Sequence, residues 1–201
     1  MEFWNSLLTE KSQNLLYKLK DKINFVLIGG WAVWLYTKML KSKDIDIVLK
    51  DFSSLDFLKM NYNLSKNDKL KKYEVKIEEV DIDVYIPYFS KFLLPLEDLK
   101  KYTTKVENFI VPIPEVLLIL KQQAEIARGD TVKGMKDKID IISLCNKADF
   151  KKYNGILEKY KLEHLRARLK GIIKNFNEPK YFNLNFVELK KLKTKLLKNV
   201  K

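Results

Sequence analysis

The feature that most constrains this chain is a compact apolar run, Ile23-Asn24-Phe25-Val26-Leu27-Ile28, which stops at Gly29-Gly30. A run of that length closed by glycine reads as a buried strand followed by a tight turn, because glycine reaches dihedrals that other residues avoid. Behind it, Trp31, Ala32, Trp34, Leu35 and Met39 recur at helical spacing, and Asp44-Ile45-Asp46-Ile47-Val48-Leu49 alternates as a strand does. Ahead of it, Phe3, Trp4, Leu7, Leu8, Leu15, Leu16 and Leu19 predict one or two amphipathic helices. The opening order is therefore helix, strand, glycine turn, helix, strand.

Farther along, residues 52–60 predict a short helix, followed by a polar stretch. Tyr73 to Pro87 reads as one or two strands, with Val80, Ile82, Val84 and Ile86 on one face and Asp81, Asp83 and Tyr85 on the other. Phe109-Ile110-Val111 predicts another short strand, closed by Pro112 and Pro114. From Pro114 the pattern is helical: one helix through Val116, Leu117, Leu120 and Ala124, a break at Gly129 or near Gly134, a second through Ile139, Ile142 and Leu144, and two or three more over 149–201, interrupted near Pro179. The expected class is α+β, with an α+β domain over 1–112 and a helical domain over 113–201.

Composition excludes some classes of protein and suggests partners. With 46% apolar residues the chain has the means to close a core, which excludes global disorder. Its single cysteine, Cys145, excludes an internal disulfide framework or a Cys-based zinc cluster and points to a reducing compartment. Residues 1–8 are too polar for a secretory leader and no apolar run is long enough to span a membrane, so a cytoplasmic protein without membrane association is expected. The 39 basic and 26 acidic residues are unevenly placed: residues 151–201 hold 15 bases and 4 acids, which is +11 of the net +13. Such a field attracts polyanions, nucleic acid first; a solvated lysine-rich helical surface is the plainer alternative.

Asp44 and Asp46 project from one face of their predicted strand, and like charges held that close call for a cation between them. Mg²⁺, a hard ion with oxygen ligands, fits; a pair of solvent-facing acids on an edge strand is the alternative. Asp81 and Asp83 offer further carboxylates on a second strand, and if the two strands are neighbours the acids suffice for two divalent ions. Gly29-Gly30 would expose backbone N–H groups, and the positive end of the next helix, to an anion such as phosphate. There is no third glycine for a dinucleotide fingerprint and no P-loop.

In these residues the chain resembles the polymerase-β-like nucleotidyltransferases: Gly29-Gly30-Trp31 opening a helix, then Lys43-Asp44-Ile45-Asp46-Ile47-Val48, then Asp83 within Ile82-Asp83-Val84-Tyr85. Trp31 stands where most members have a phosphate-contacting Ser. The helical half, through Leu117-Leu118-Ile119-Leu120-Lys121, Arg128 and Lys136-Asp137-Lys138-Ile139-Asp140, resembles the AbiEii-toxin type and its minimal relatives. The resemblance implies Mg²⁺-dependent transfer of a nucleoside monophosphate from an NTP such as ATP to an acceptor hydroxyl. It assigns two Mg²⁺ ions to Asp44, Asp46 and Asp83, with Asp81 as the substitute for Asp83, and phosphate contacts to Gly29, Gly30 and Lys121. Salt bridges of Lys121 and Arg128 to Asp137 and Asp140 are the alternative use of those residues.

RNA, for instance a tRNA end held by residues 151–201, is the favoured acceptor, with a small molecule or a protein side chain still open. A cognate antitoxin-like protein is a further expected partner. The competing reading is a catalytically silent scaffold of this fold that binds nucleic acid or a protein. His164 and Cys145 have no part in the scheme. Trp31, Trp34 and Tyr36 read as core, with stacking of an aromatic on a base as the functional alternative.

Overall fold

A computed structural model describes residues 3–200; Met1, Glu2 and Lys201, the ends of the N-terminal stretch and of the basic tail, lie outside the described residues. The chain groups into two compact units, one ending at Ile113 and the other beginning at Pro114.

The first unit runs α1 (Ser6–Lys20), β1 (Phe25–Ile28), α2 (Gly29–Thr37), β2 (Ile45–Leu49), α3 (Phe52–Asn61), β3 (Ser65–Asn67), β4 (Lys72–Ile77), β5 (Val80–Tyr85), α4 (Leu96–Leu99), β6 (Thr103–Val106) and β7 (Phe109–Pro112). Five strands form one mixed sheet in the order β1-β2-β5-β4-β3, and β6 pairs with β7 in a separate ribbon. All four residues of β1 are buried, as its unbroken apolar sequence requires of a strand covered on both faces. The β5 pattern alternates instead, with Val80, Ile82 and Val84 buried and Asp81, Asp83 and Tyr85 turned to the more open face. Trp31 is buried, and its indole N–H donates to Ser12 Oγ at 2.8 Å, which fixes α2 against α1. Asp51 caps α3, accepting from the Ser54 amide at 2.8 Å.

The second unit is helical: α5 (Pro114–Arg128), α6 (Val132–Cys145), α7 (Phe150–Lys159), α8 (His164–Asn175) and α9 (Phe186–Asn199). The break after α5 falls at Gly129, whose φ of +53° suits glycine. Gly134 lies inside α6, where a side chain would meet the Gly129 carbonyl oxygen at 2.0 Å. The chain is thus a mixed α and β fold with a helical C-terminal half. Two strands departed from expectation: β3 and β6 are too short and polar for alternation to reveal, and they form as partners of β4 and β7. Among the described residues no helix is long and apolar enough to cross a membrane.

Candidate active site

β2 and β5 run parallel, with Asp46 opposite Asp83. Hydrogen-bonded strands lie roughly 4.8 Å apart and paired residues share a face, so these two acids are sheet neighbours. On the other side of β5, antiparallel β4 places Glu74 opposite Asp83; on the other side of β2, antiparallel β1 places Ile28 opposite Asp46. One row across the sheet therefore reads Ile28, Asp46, Asp83, Glu74. Gly29 sits where that row meets the start of α2. Asp44 is half-buried one residue before β2, and Asp81 is exposed opposite Lys76.

Gly29 has φ +66°, and a side-chain carbon built on it would stand 2.0 Å from Asp46 Oδ2 and 2.6 Å from Asp46 Cγ. The carboxylate thus packs directly against the glycine backbone, and both the dihedral and the close approach demand glycine. Ile28 at the N-cap of α2 offers no capping side chain, so the positive end of the helix is left for other groups to satisfy. The diglycine turn and the acidic strand are in direct contact.

Sequence analysis missed two residues beside Asp83: Glu74 of this row, and Lys72 two positions before it on β4. Lys72 Nζ lies 2.7 Å from Asp83 Oδ2 and 2.9 Å from Glu74 Oε1. Burial pulls the Lys72 ammonium toward a lower pKa, but hydrogen bonds to Asp83 and Glu74 outweigh it and hold the group above its ordinary value. The hydrogen bond from Lys72 in turn holds Glu74 below the usual range for Glu. Reading Tyr73 to Pro87 as one or two strands covers Glu74 but does not say where the chain turns, and it is the two-residue turn at Glu78 and Glu79 that sets Glu74 opposite Asp83.

Carboxylate oxygens on one sheet row are the donors a hard divalent ion takes. As the side chains stand, among the described residues no three His, Cys, Asp or Glu groups converge closely enough to hold a metal ion, and Asp83 is turned to Lys72. The backbone frame and donor chemistry fit such an ion, for which the Lys72 ammonium competes at Asp83 Oδ2.

Lys121 lies in the helical unit, 6% exposed, with Nζ 3.0 Å from Asp137 Oδ1 and 2.8 Å from Asp140 Oδ2. Arg128 reaches Asp137 Oδ2 at 3.0 Å and Lys136 reaches Asp140 Oδ2 at 3.0 Å. Burial works against the Lys121 cation, yet the charges of Asp140 and Asp137 raise its pKa above the ordinary value. Burial pushes Lys136 the other way, to a lowered pKa. The ion-pairing alternative for Lys121 and Arg128 is what the structure displays. Cys145 is buried, with its thiol pushed up to about 12 by burial, and His164 is exposed on α8.

No protein-family model and no curated protein matches the sequence. Solved structures do match in fold. An H. pylori protein assigned as a nucleotidyltransferase aligns over 97% of this chain and 96% of its own, with TM-score 0.52 and 14% identity. ANT(2")-Ia, solved in complex with adenylyl-2"-tobramycin, aligns over 80% of this chain and 99% of its own, with TM-score 0.52 and 10% identity. The fold is of the nucleotidyltransferase type.

Proposed function

We propose that this chain transfers a nucleoside monophosphate from an NTP to an acceptor hydroxyl, with RNA favoured as acceptor because of the basic residues over 151–201. The observation carrying the reading is the packing of the Asp46 carboxylate against Gly29, with Asp83 its partner on the next strand. That row joins a turn suited to phosphate with acids suited to divalent metal.

Asp44, Asp46 and Asp83 are the residues that would hold Mg²⁺. When bound, such ions neutralise phosphate charge and lower the pKa of the attacking hydroxyl. Asp83 accepts the proton from the acceptor, with Asp81 the substitute. The acceptor oxygen then bonds to the α-phosphorus as the bond from that phosphorus to the pyrophosphate oxygen breaks. Amides of Gly29 and Gly30 donate to the departing pyrophosphate. Lys72 competes with the first step, because its ammonium holds Asp83 Oδ2, one of the two oxygens that carboxylate offers. Lys121, the further phosphate contact that the resemblance implies, pairs with Asp137 and Asp140.

The Lys72–Asp83 pair also gives support to the second reading, a silent scaffold in which Lys72 replaces the metal. Calorimetric titration separates the two. Mg²⁺-dependent binding of any of the four NTPs supports the enzyme, and no heat at millimolar NTP supports the scaffold. Incubation with radiolabelled NTPs and total RNA then tests the acceptor.

A further inference from the structure

We propose that the outer face of α9 holds the sugar–phosphate backbone of single-stranded RNA without regard to base sequence. The proposal deepens the RNA-acceptor reading and takes its biological purpose from it, whereas the binding chemistry stands by itself.

Val187, Lys190, Lys191, Thr194, Lys195 and Lys198 are exposed and line one groove of about 530 Å³. Their spacing of three, one, three, one and three residues puts them on one face of the helix. At 1.5 Å per residue, the four lysines extend over about 12 Å. The only acid on α9, Glu188, is engaged in its capping box, where its carboxylate accepts from the Asn185 amide at 2.8 Å. Lys193 is off the stripe and has a structural task, donating to the Phe176 carbonyl at 2.9 Å. The stripe is thus four ammonium groups with no acid of their own helix among them. Like charges three and four residues apart destabilise a helix, and a polyanion laid along them relieves the repulsion.

Three features select the occupant. The apolar side of α9 is turned inward, with Leu189 and Leu196 at 2% and 1% exposure, so the large apolar side chains left exposed are confined to Phe186 and Val187 at its head and do not make the continuous face with which an interfacial helix enters a bilayer. Duplex RNA has a deep, narrow major groove that side chains do not enter, whereas a flexible single strand can follow a straight row of ammonium groups. Phe186 and Val187 are exposed at the head of the stripe, at 65% and 64%, where an unpaired base has an aromatic face on which to stack.

The test is fluorescence anisotropy of a fluorescein-labelled 20-mer of oligouridylate with the full chain, between 50 and 200 mM KCl and without NTP or divalent metal. Four phosphate contacts at about 0.7 each give a slope of log K against log salt of about −2.8, so affinity falls about fiftyfold over that range. K190Q/K191Q/K195Q/K198Q is expected to bring the slope near zero. The charge-matched control K18Q/K22Q/K50Q/K69Q, all exposed lysines of the other unit, is expected to keep it. Phe186→Ala is expected to weaken binding at least fivefold at unchanged slope. Equal losses in both quadruple variants, no binding at micromolar protein, or tighter binding to phosphatidylserine vesicles than to the oligonucleotide each overturns the proposal. Because neither NTP nor divalent metal is present, the result is independent of the transfer assay.

Discussion

Replacing Gly29 by alanine tests the contact on which the site rests. Two costs arise. An L-residue at φ +66° is left-handed, which costs roughly 1–2 kcal/mol. The new methyl also stands 2.0 Å from Asp46 Oδ2. Restoring ordinary contact near 3.4 Å needs about 1.4 Å of movement, and overpacking of this kind costs about 1–3 kcal/mol. Gly29→Ala should therefore destabilise the fold by about 2–5 kcal/mol, read by urea denaturation followed by circular dichroism. In an Asp46→Gly background the carboxylate is gone and only the dihedral cost remains, so the same substitution should cost about 1–2 kcal/mol. Gly155→Ala is the control: Gly155 lies within α7 with open space around it, and alanine there should stabilise by about 0.5–1 kcal/mol. An equal penalty for Gly29→Ala with and without Asp46 would refute the packing of carboxylate against glycine. Activity is the more sensitive reading, because displacing a reacting group by 1 Å costs about a hundredfold in rate.

Asp44→Ala and Asp46→Ala should each abolish NMP transfer to RNA while leaving the circular dichroism spectrum unchanged; turnover retained in either variant refutes the assignment. Lys72→Met removes the cation on Asp83 and should tighten Mg²⁺ binding about three- to tenfold by calorimetry, since a hydrogen bond to a charged group is worth about 1.5–3 kcal/mol and part of that is recovered by solvent. Unchanged affinity means that Asp83 is not a ligand. Lys121→Met leaves the buried Asp137 and Asp140 undercompensated and should cost about 3–5 kcal/mol in chemical denaturation, whereas a purely peripheral lysine would cost under 1. Asp51→Ala should cost about 1 kcal/mol at pH 6 as the loss of a helix cap. The Asp51 carboxyl is lowered to about 2, chiefly by its hydrogen bonds with Ser54, from an ordinary value of 3.8. A depressed folded-state pKa means the contribution is complete above about pH 4 and is lost as pH falls through 2, so the gap between wild type and variant should close over that window.

Sequence alone determined the elements that carry the site. The apolar run before Gly29-Gly30 became β1, the helical spacing behind it became α2, the Asp-Ile-Asp alternation became β2, and the alternation over 80–85 became β5. These features are legible because local periodicity and glycine's backbone freedom act within a few residues. The charge asymmetry was equally plain, since it needs only counting. Tertiary structure alone decided that Asp83, and not Asp81, stands opposite Asp46, and that Lys121 closes a buried network with Asp137 and Asp140, whereas Glu74 enters the row, and Lys72 reaches it, through the short β4–β5 hairpin. Backbone hydrogen bonds are the same for every residue, so a ladder between strands more than thirty residues apart carries no local signature. Its register is set by which side chains the whole unit must bury.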